Sequence, residues 1–163
     1  MEIGQHWQTI QRVFQESLES SMHYAIATVN EDGSPHVTPI GSLFLRENGT
    51  AFYFDEFPVH MSRNLEKDQR VCILAVNSNL TFWQKSLMAG KFGTPAAVRL
   101  MGSVGKKREG TEEEIAMWQN HVKLARGTKG HDLMWKNMRM VRDIYFDSFE
   151  PVSCGEMTQD HWK

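Results

Sequence analysis

The stretch Tyr24-Ala25-Ile26-Ala27-Thr28-Val29 and the turn Asn30-Glu31-Asp32-Gly33-Ser34-Pro35 that follows it decide the fold class. The six residues before the turn are rich in aromatic and β-branched side chains, which favour a strand. Asp-Gly followed by Ser-Pro is typical of a hairpin turn. Further extended runs follow over residues 36–45 and 51–54, separated by a turn that contains Asn48-Gly49. This order predicts a three-strand antiparallel meander.

The residues on either side extend this pattern into one α+β domain. Apolar residues three and four apart over residues 5–20 predict an amphipathic helix before the first strand. The later predicted elements are a helix over 59–67 and strands over 71–76, 96–104 and 143–149. Thr111-Glu112-Glu113-Glu114 is a capping box that opens a helical insertion over about residues 111–140. We therefore predict a single domain over residues 1–163, built on a small antiparallel barrel of six strands with flanking helices.

Composition excludes several classes of protein. The 163 residues include 18 Lys and Arg against 20 Asp and Glu, so the chain lacks the cationic excess of a general nucleic-acid binder. Its longest apolar run, residues 71–76, is too short to span a membrane. The N-terminus lacks the features of a secretory signal, and we expect a cytoplasmic protein. Cys72 and Cys154 have no CxxC spacing and predict neither a disulfide framework nor a metal site.

Common catalytic motifs are absent as well. The sequence contains no G-x-G-x-x-G, H-E-x-x-H or G-x-S-x-G. Between Lys123 and Arg142, six cationic side chains accompany a single acid, Asp132. This basic segment either meets an anionic ligand or forms a solvated helix face paired with acids elsewhere. Residues 77–95 are predicted to form a long loop whose aromatic anchors, Trp83 among them, favour a lid or an interface.

The first candidate site is Thr38-Pro39-Ile40-Gly41-Ser42, in the second predicted strand. Proline has no N–H group and is tolerated in a sheet only at an edge or a bulge. The backbone here is therefore partly free of a neighbouring strand and can meet the polar edge of a flat ring, with Ile40 as an apolar contact. A simple edge strand with a bulge explains the segment equally well.

The second candidate site is Phe54-Asp55 together with Ser62-Arg63-Asn64. A helix beginning near Ser62 would direct unpaired N–H groups and a positive dipole end outward. A hydroxyl and a fixed cation beside them suit a phosphate group. The alternative is that Ser62 only caps a helix and Arg63 is a surface charge.

The ordered succession of these segments resembles the FMN-binding split barrels of the pyridoxamine 5'-phosphate oxidase type. The resemblance covers residues 22–104 and extends more loosely to residue 149. It implies a six-stranded antiparallel split β-barrel that forms a homodimer with two FMN molecules at the subunit interface. The cofactor-binding residues that it implies are Thr38, Pro39, Ile40, Gly41, Ser42, Phe54 and Asp55 for the flavin, and Ser62, Arg63 and Asn64 for the phosphate.

The sequence also departs from the oxidase pattern. Asn64 stands where the oxidase has a lysine, and Ala97 replaces a glutamine that contacts the flavin. Residues 154–163 lack the arginine-containing signature that binds vitamin B6. We therefore expect an FMN-dependent oxidoreductase acting on another small molecule.

Other functions in the same fold stay open. One is a protein that binds or degrades haem, with His36, His60, His121 or His131 as the candidate ligand. The others are a deazaflavin-dependent protein and a flavin-binding sensor without catalysis.

Overall fold

The computed structural model describes residues 2–158 and 161–162. The helices are α1 (Ile3–Ser21), α2 (Val59–Lys67), α3 (Leu80–Ala89), α4 (Glu112–His121) and α5 (Lys129–Met134), with 3-10 turns at Lys123–Ala125 and Gly155–Thr158. The strands are β1 (Tyr24–Val29), β2 (Pro35–Ile40), β3 (Leu43–Leu45), β4 (Thr50–Phe54), β5 (Arg70–Val76), β6 (Ala97–Val104), β7 (Arg108–Glu109) and β8 (Met140–Pro151).

The strands form one antiparallel sheet in the order β2-β1-β5-β6-β8-β4-β3, and β7 pairs with β8. This confirms the predicted α+β split barrel, but the predicted count of six strands is wrong, because the described residues contain eight. The run over residues 36–45 breaks into β2 and β3 at Gly41 and Ser42, and the two-residue strand β7 lacks any sequence pattern. Both pairings of the predicted meander are present, since the first half of this run, β2, pairs with β1 and the second half, β3, pairs with β4, but the middle strand is not continuous.

The two edges of the sheet are consecutive in the chain. β2 lies at one edge and β3 at the other, and only Gly41 and Ser42 connect them. Such a short connection requires the sheet to curl until its edges approach each other. A bond from the Phe54 N–H to the Ser42 carbonyl, 3.3 Å long, links the connection to β4. Pro39 therefore lies in an edge strand, as its missing N–H predicts.

The core fills the concave side of the sheet. Helix α1 buries Trp7, Ile10, Val13 and Phe14 against alternate residues of the strands, which confirms the predicted helix over residues 5–20. A smaller apolar cluster joins β4 to α4 and to the segment before β8; it contains Phe52, Phe54, Trp118, Val122, Met138 and Val141. The helical insertion thus packs against the end of β4, where the second candidate site begins.

The segment over residues 77–95 was predicted to be a long loop. This prediction is wrong in part, because the segment contains α3. The Asn79 side chain caps this helix by accepting a hydrogen bond from the Phe82 N–H, and Gly90 ends it with a positive φ of 67°. Trp83 donates its indole N–H to the Asn77 carbonyl at 2.6 Å. The Trp83 indole is therefore engaged within its own segment.

The insertion differs in part from its prediction. The capping box at Thr111 is present and opens α4. The helical part ends earlier than the predicted residue 140, since α5 ends at Met134 and β8 already begins at Met140.

Two arginines and two carboxylates attach the insertion to the sheet. Arg108 contacts Glu114 at 2.8 Å and Asp143 at 2.8 Å, and Arg46 contacts the same two acids. The hydrogen bonds from Arg108 are the main reason that the pKa values of Glu114 and Asp143 are lowered to about 2.

These lowered pKa values predict loss of stability in acid. The two carboxyl groups titrate near pH 4 in the unfolded chain, so their contribution is complete above about pH 5 and is lost as the pH falls towards 2. We expect the free energy of unfolding to fall by about 3 kcal/mol over that range. Urea denaturation at several pH values measures this change. The variant Arg108→Met should show a shallower pH dependence, and an unchanged slope would contradict the assignment.

Candidate cofactor site

An apolar cavity of about 570 Å³ opens where β2 gives way to β3. Pro39, Ile40, Gly41, Ser42 and Phe54, all predicted cofactor residues, line it. The remaining walls come from the end of α1, the segment before α2 and the insertion; they are Leu18, Met22, His23, Phe57, Pro58, Trp118, His121, Val122, Met134, Trp135 and Met138. Aromatic and aliphatic walls beside an edge strand suit a planar ring with polar groups along its rim.

Gly41 gives this cavity its shape. A Cβ atom at this position would lie 2.8 Å from the Met22 carbonyl oxygen, closer than such atoms approach in proteins. Only glycine lets the chain between β2 and β3 pass so near to the end of α1. β2 has a strand partner on one side only, so part of its backbone faces away from the sheet.

A smaller polar cavity, about 200 Å³ in volume, lies after β4. It is lined by the predicted residues Asp55, Ser62 and Arg63, together with Glu56, Pro58, Val59, Glu66 and Lys107. Pro58 belongs to the walls of both cavities, so they adjoin. The structure thus places eight of the ten predicted cofactor residues around two adjacent cavities.

Asp55 is the centre of the polar cavity's electrostatics. The residue is 1% exposed, and its Oδ2 atom accepts hydrogen bonds from Ser62 Oγ at 2.8 Å and from Arg142 Nε at 2.6 Å. Lys107 Nζ lies 3.3 Å from the same oxygen. The Oδ1 atom has no hydrogen-bond partner among the described residues.

Arg142 is a member of this site that the sequence did not reveal. It is 2% exposed, donates to the Gly105 carbonyl at 3.1 Å and contacts Glu66. In the sequence, Arg142 is the last cation of the basic segment. In the structure it is buried and paired with Asp55, so it is not part of a solvated helix face. No local pattern distinguishes it, because its main partner, Asp55, is 87 residues away in the chain.

Two predicted residues lie elsewhere. Thr38 and Asn64 line neither cavity. Thr38 Oγ1 lies 3.1 Å from His36 Nε2. The Asn64 amide donates to Thr28 Oγ1 at 3.1 Å and to Asn30 Oδ1 at 2.9 Å, and it therefore ties α2 to the first hairpin.

The helix behind the polar cavity, α2 (Val59–Lys67), has the bounds predicted from the pattern over residues 59–67. The prediction of a helix start near Ser62 is wrong, because α2 begins at Val59, and the alternative that Ser62 caps a helix is also wrong. Ser62 lies inside the first turn, and its N–H donates to the Pro58 carbonyl at 2.9 Å. Its hydroxyl, rather than its amide, is the group that faces Asp55.

The histidines occupy three different environments. Of the four candidate haem ligands, only His121 lines the apolar cavity, which His23 also lines without having been predicted. The His36 and His60 rings stack with centroids 4.2 Å apart. His131 is buried, and neither of its ring nitrogens has a hydrogen-bond partner among the described residues.

The described residues contain neither a cluster of metal ligands nor a membrane-spanning helix. No group of three or more His, Cys, Asp or Glu side chains is placed to hold a metal ion within residues 2–158 and 161–162. Cys72 and Cys154 are free thiols. In the same part of the chain, no helix combines the length and apolar character needed to cross a bilayer.

A curled antiparallel sheet whose adjoining edges border a cavity defines the class of split barrels. The family model of pyridoxamine 5'-phosphate oxidase matches residues 10–145, so the chain belongs to that family. Comparison of the sequence with curated proteins gives no match.

Solved structures share the fold at low sequence identity. The haem storage protein HutZ of Vibrio cholerae is 17% identical, with a TM-score of 0.58 over 93% of this chain and 95% of its own. An FMN-binding protein of Syntrophomonas wolfei is 11% identical, with a TM-score of 0.57 over 91% and 93%. An F420 reductase is 14% identical, with a TM-score of 0.56 over 84% and 95%. These likenesses show a common fold.

Proposed function

We propose that this protein is a flavin-dependent oxidoreductase that binds FMN and acts on a small molecule. The isoalloxazine ring would lie in the apolar cavity, and the ribityl phosphate would extend past Pro58 into the polar cavity. The observation that carries the proposal is the grouping of the predicted residues. Those implied for the ring, Pro39–Ser42 and Phe54, line one cavity, and Ser62 and Arg63, implied for the phosphate, line the next.

The residues of the two cavities fit such a cofactor. Ile40, Phe54 and Trp118 supply apolar walls, and the close passage of Gly41 leaves room beside them. The unpartnered Asp55 Oδ1 is an acceptor suited to a hydroxyl donor on the ribityl chain. A bound flavin supplies the redox chemistry; the protein binds the ring, orients it and excludes water. No catalytic side chain is required for this role.

We further propose that the protein is a homodimer. Across β2, β1, β5 and β6 the outward side of the sheet carries the aligned residues Val37, Ala27, Cys72 and Met101, and beside them Pro39, Ala25 and Leu74. The second row ends on β6 at Arg99, whose charge is paired with Glu150 at the border of the apolar residues. These side chains are exposed or half-buried. A sheet face in contact with water is normally polar. An apolar face of this kind supports coverage by a second copy, next to the opening at Pro39.

The variant Val37→Glu is expected to dissociate this dimer, because Val37 is exposed on this face and pairs with Ala27. It would place a charge within the apolar face, and a buried unpaired carboxylate is strongly unfavourable. Light scattering should report a dimer for the wild type and a monomer for the variant. Gln15→Glu, on the exposed side of α1, introduces the same charge outside this face and should leave the mass unchanged. A monomeric wild type would contradict the proposal.

Arg63→Ala tests the position of the phosphate. Arg63 is exposed at the polar cavity and forms no ion pair with any described residue, so its charge is available to a ligand. Because Arg63 is exposed, loss of its contact with the phosphate is expected to weaken FMN binding about three- to fivefold. Lys136→Ala removes an exposed cation from the basic segment and should leave FMN binding unchanged. Equal affinities in the two variants, measured by flavin fluorescence, would contradict the assigned phosphate position.

Haem binding is the second candidate function. It is favoured by His23 and His121, two imidazoles in the walls of the apolar cavity. Imidazole is a common axial ligand of haem iron. Titration with haemin distinguishes the two functions, since a Soret band that His121→Ala abolishes would favour haem. Failure of NADH and NADPH to reduce a bound flavin would favour a sensor instead of an enzyme.

A further inference from the structure

We infer that Asp55 is a specificity-determining residue of the polar cavity. Its carboxylate acts there as an internal anion and limits how much a ligand's phosphate group adds to binding. The protein therefore selects its ligand mainly by the planar ring and only weakly by the charge of the tail. This inference rests on the proposed flavin function and concerns how the same site discriminates between flavins.

The hydrogen bonds around Asp55 use the donors that a phosphate would need. Ser62 Oγ and Arg142 Nε both donate to Asp55 Oδ2, at 2.8 and 2.6 Å, and Lys107 Nζ lies 3.3 Å away. A dianionic phosphate in the cavity has to share Ser62 and Lys107 with this carboxylate. Repulsion between the two anions opposes the attraction of the cations.

Arg142 is not free to turn towards a ligand. Its guanidinium also donates to the Gly105 carbonyl at 3.1 Å, contacts Glu66 and is almost completely buried. Moving it would leave the Asp55 carboxylate buried without its strongest partner, which is costly. Arg142 therefore belongs to the internal ion pair, and its charge is already neutralised when a ligand arrives.

The charges around the cavity balance. Asp55, Glu56 and Glu66 are acidic, and Arg63, Lys107 and the buried Arg142 are basic, so the sum is zero. Of the three cations, Lys107 and Arg142 are paired with Asp55, whereas Arg63 has no ion pair among the described residues. Asn64, the next residue after Arg63, is uncharged and donates its amide to Thr28 and Asn30. The polar cavity thus offers a phosphate one unshared cation, Arg63. The apolar cavity offers the ring aromatic and aliphatic contacts.

The experiment compares FMN with riboflavin, which has the same ring and no phosphate. Dissociation constants are measured by flavin fluorescence for the wild type, Asp55→Asn and Asp147→Asn. We expect wild-type FMN affinity to exceed riboflavin affinity by less than about tenfold. Asp55→Asn should tighten FMN binding about tenfold and change riboflavin binding less than about twofold. Asp147→Asn makes the same charge change at an exposed position and should alter neither.

The outcomes separate this inference from the function on which it rests. If the wild type binds neither flavin, the proposed function is wrong. If it binds both and Asp55→Asn leaves the ratio of affinities unchanged, the role of Asp55 is wrong. Circular dichroism shows whether Asp55→Asn is folded. If it does not fold, the wild-type ratio decides, and a preference for FMN greater than about tenfold overturns the inference.

Discussion

Gly102→Ala is expected to destabilise the protein by about 3 kcal/mol, a large part of the stability of a domain of this size. A Cβ atom at Gly102 would lie 2.1 Å from the Tyr145 carbonyl oxygen and 2.9 Å from Phe146 Cα. Both are backbone atoms of β8, and the register between β6 and β8 shifts at Met101 and Gly102. The clash can be relieved only by separating two central strands.

Urea denaturation of Gly102→Ala measures this effect. Gly105→Ala is the matched control, because its added Cβ would meet neighbours at ordinary contact distances of 3.7 Å or more. We expect the control to change the free energy of unfolding by less than about 1 kcal/mol. Equal denaturation midpoints for the two variants would show that β6 and β8 are not packed as described.

Arg142→Met is expected to lower the free energy of unfolding by about 3–5 kcal/mol, because removing one partner of a buried ion pair leaves the other charge uncompensated. Asp55 would keep Ser62 as a hydrogen-bond donor and Lys107 as a more distant cation. Chemical denaturation measures the loss. The double variant Arg142→Met/Asp55→Leu removes both charges and should recover part of the stability.

The comparison of single and double variants identifies the cause of the effect. If the double variant is no more stable than Arg142→Met, the loss comes from packing of the arginine stem and not from the stranded carboxylate. If Arg142→Met alone is as stable as the wild type, the ion pair does not hold β8 to the polar cavity.

The parts of the fold that depend on local chemistry were predictable from the sequence. Pro39 lacks an N–H group and predicted an edge strand, and β2 is an edge strand. The Thr111 capping box predicted the start of α4. In both cases the signal and the structure involve the same few residues, so neighbours distant in the chain cannot change the outcome.

Features that depend on distant residues were not predictable. The separation of β2 from β3 depends on how closely Gly41 approaches Met22. The polar character of residues 77–95 concealed α3, whose Phe82 ring stacks on the ring of Phe92, beyond the end of the helix, with centroids 5.6 Å apart. The pairing of Asp55 with Arg142 depends on β4 and β8, which are neighbours in the sheet although they are far apart in the chain. The proline in the segment Thr38–Ser42 marked it as a candidate, but the residues around the apolar cavity, Phe54 included, were named as cofactor residues through the resemblance to the split-barrel family.

Titration of the purified protein with FMN, followed by flavin fluorescence and visible absorbance, tests the central claim most directly. A flavin ring between Ile40, Phe54 and Trp118 should lose fluorescence and show shifted absorbance bands, saturating at one FMN per chain. If FMN produces no change while haemin produces a Soret band at the same protein concentration, the apolar cavity is not a flavin site.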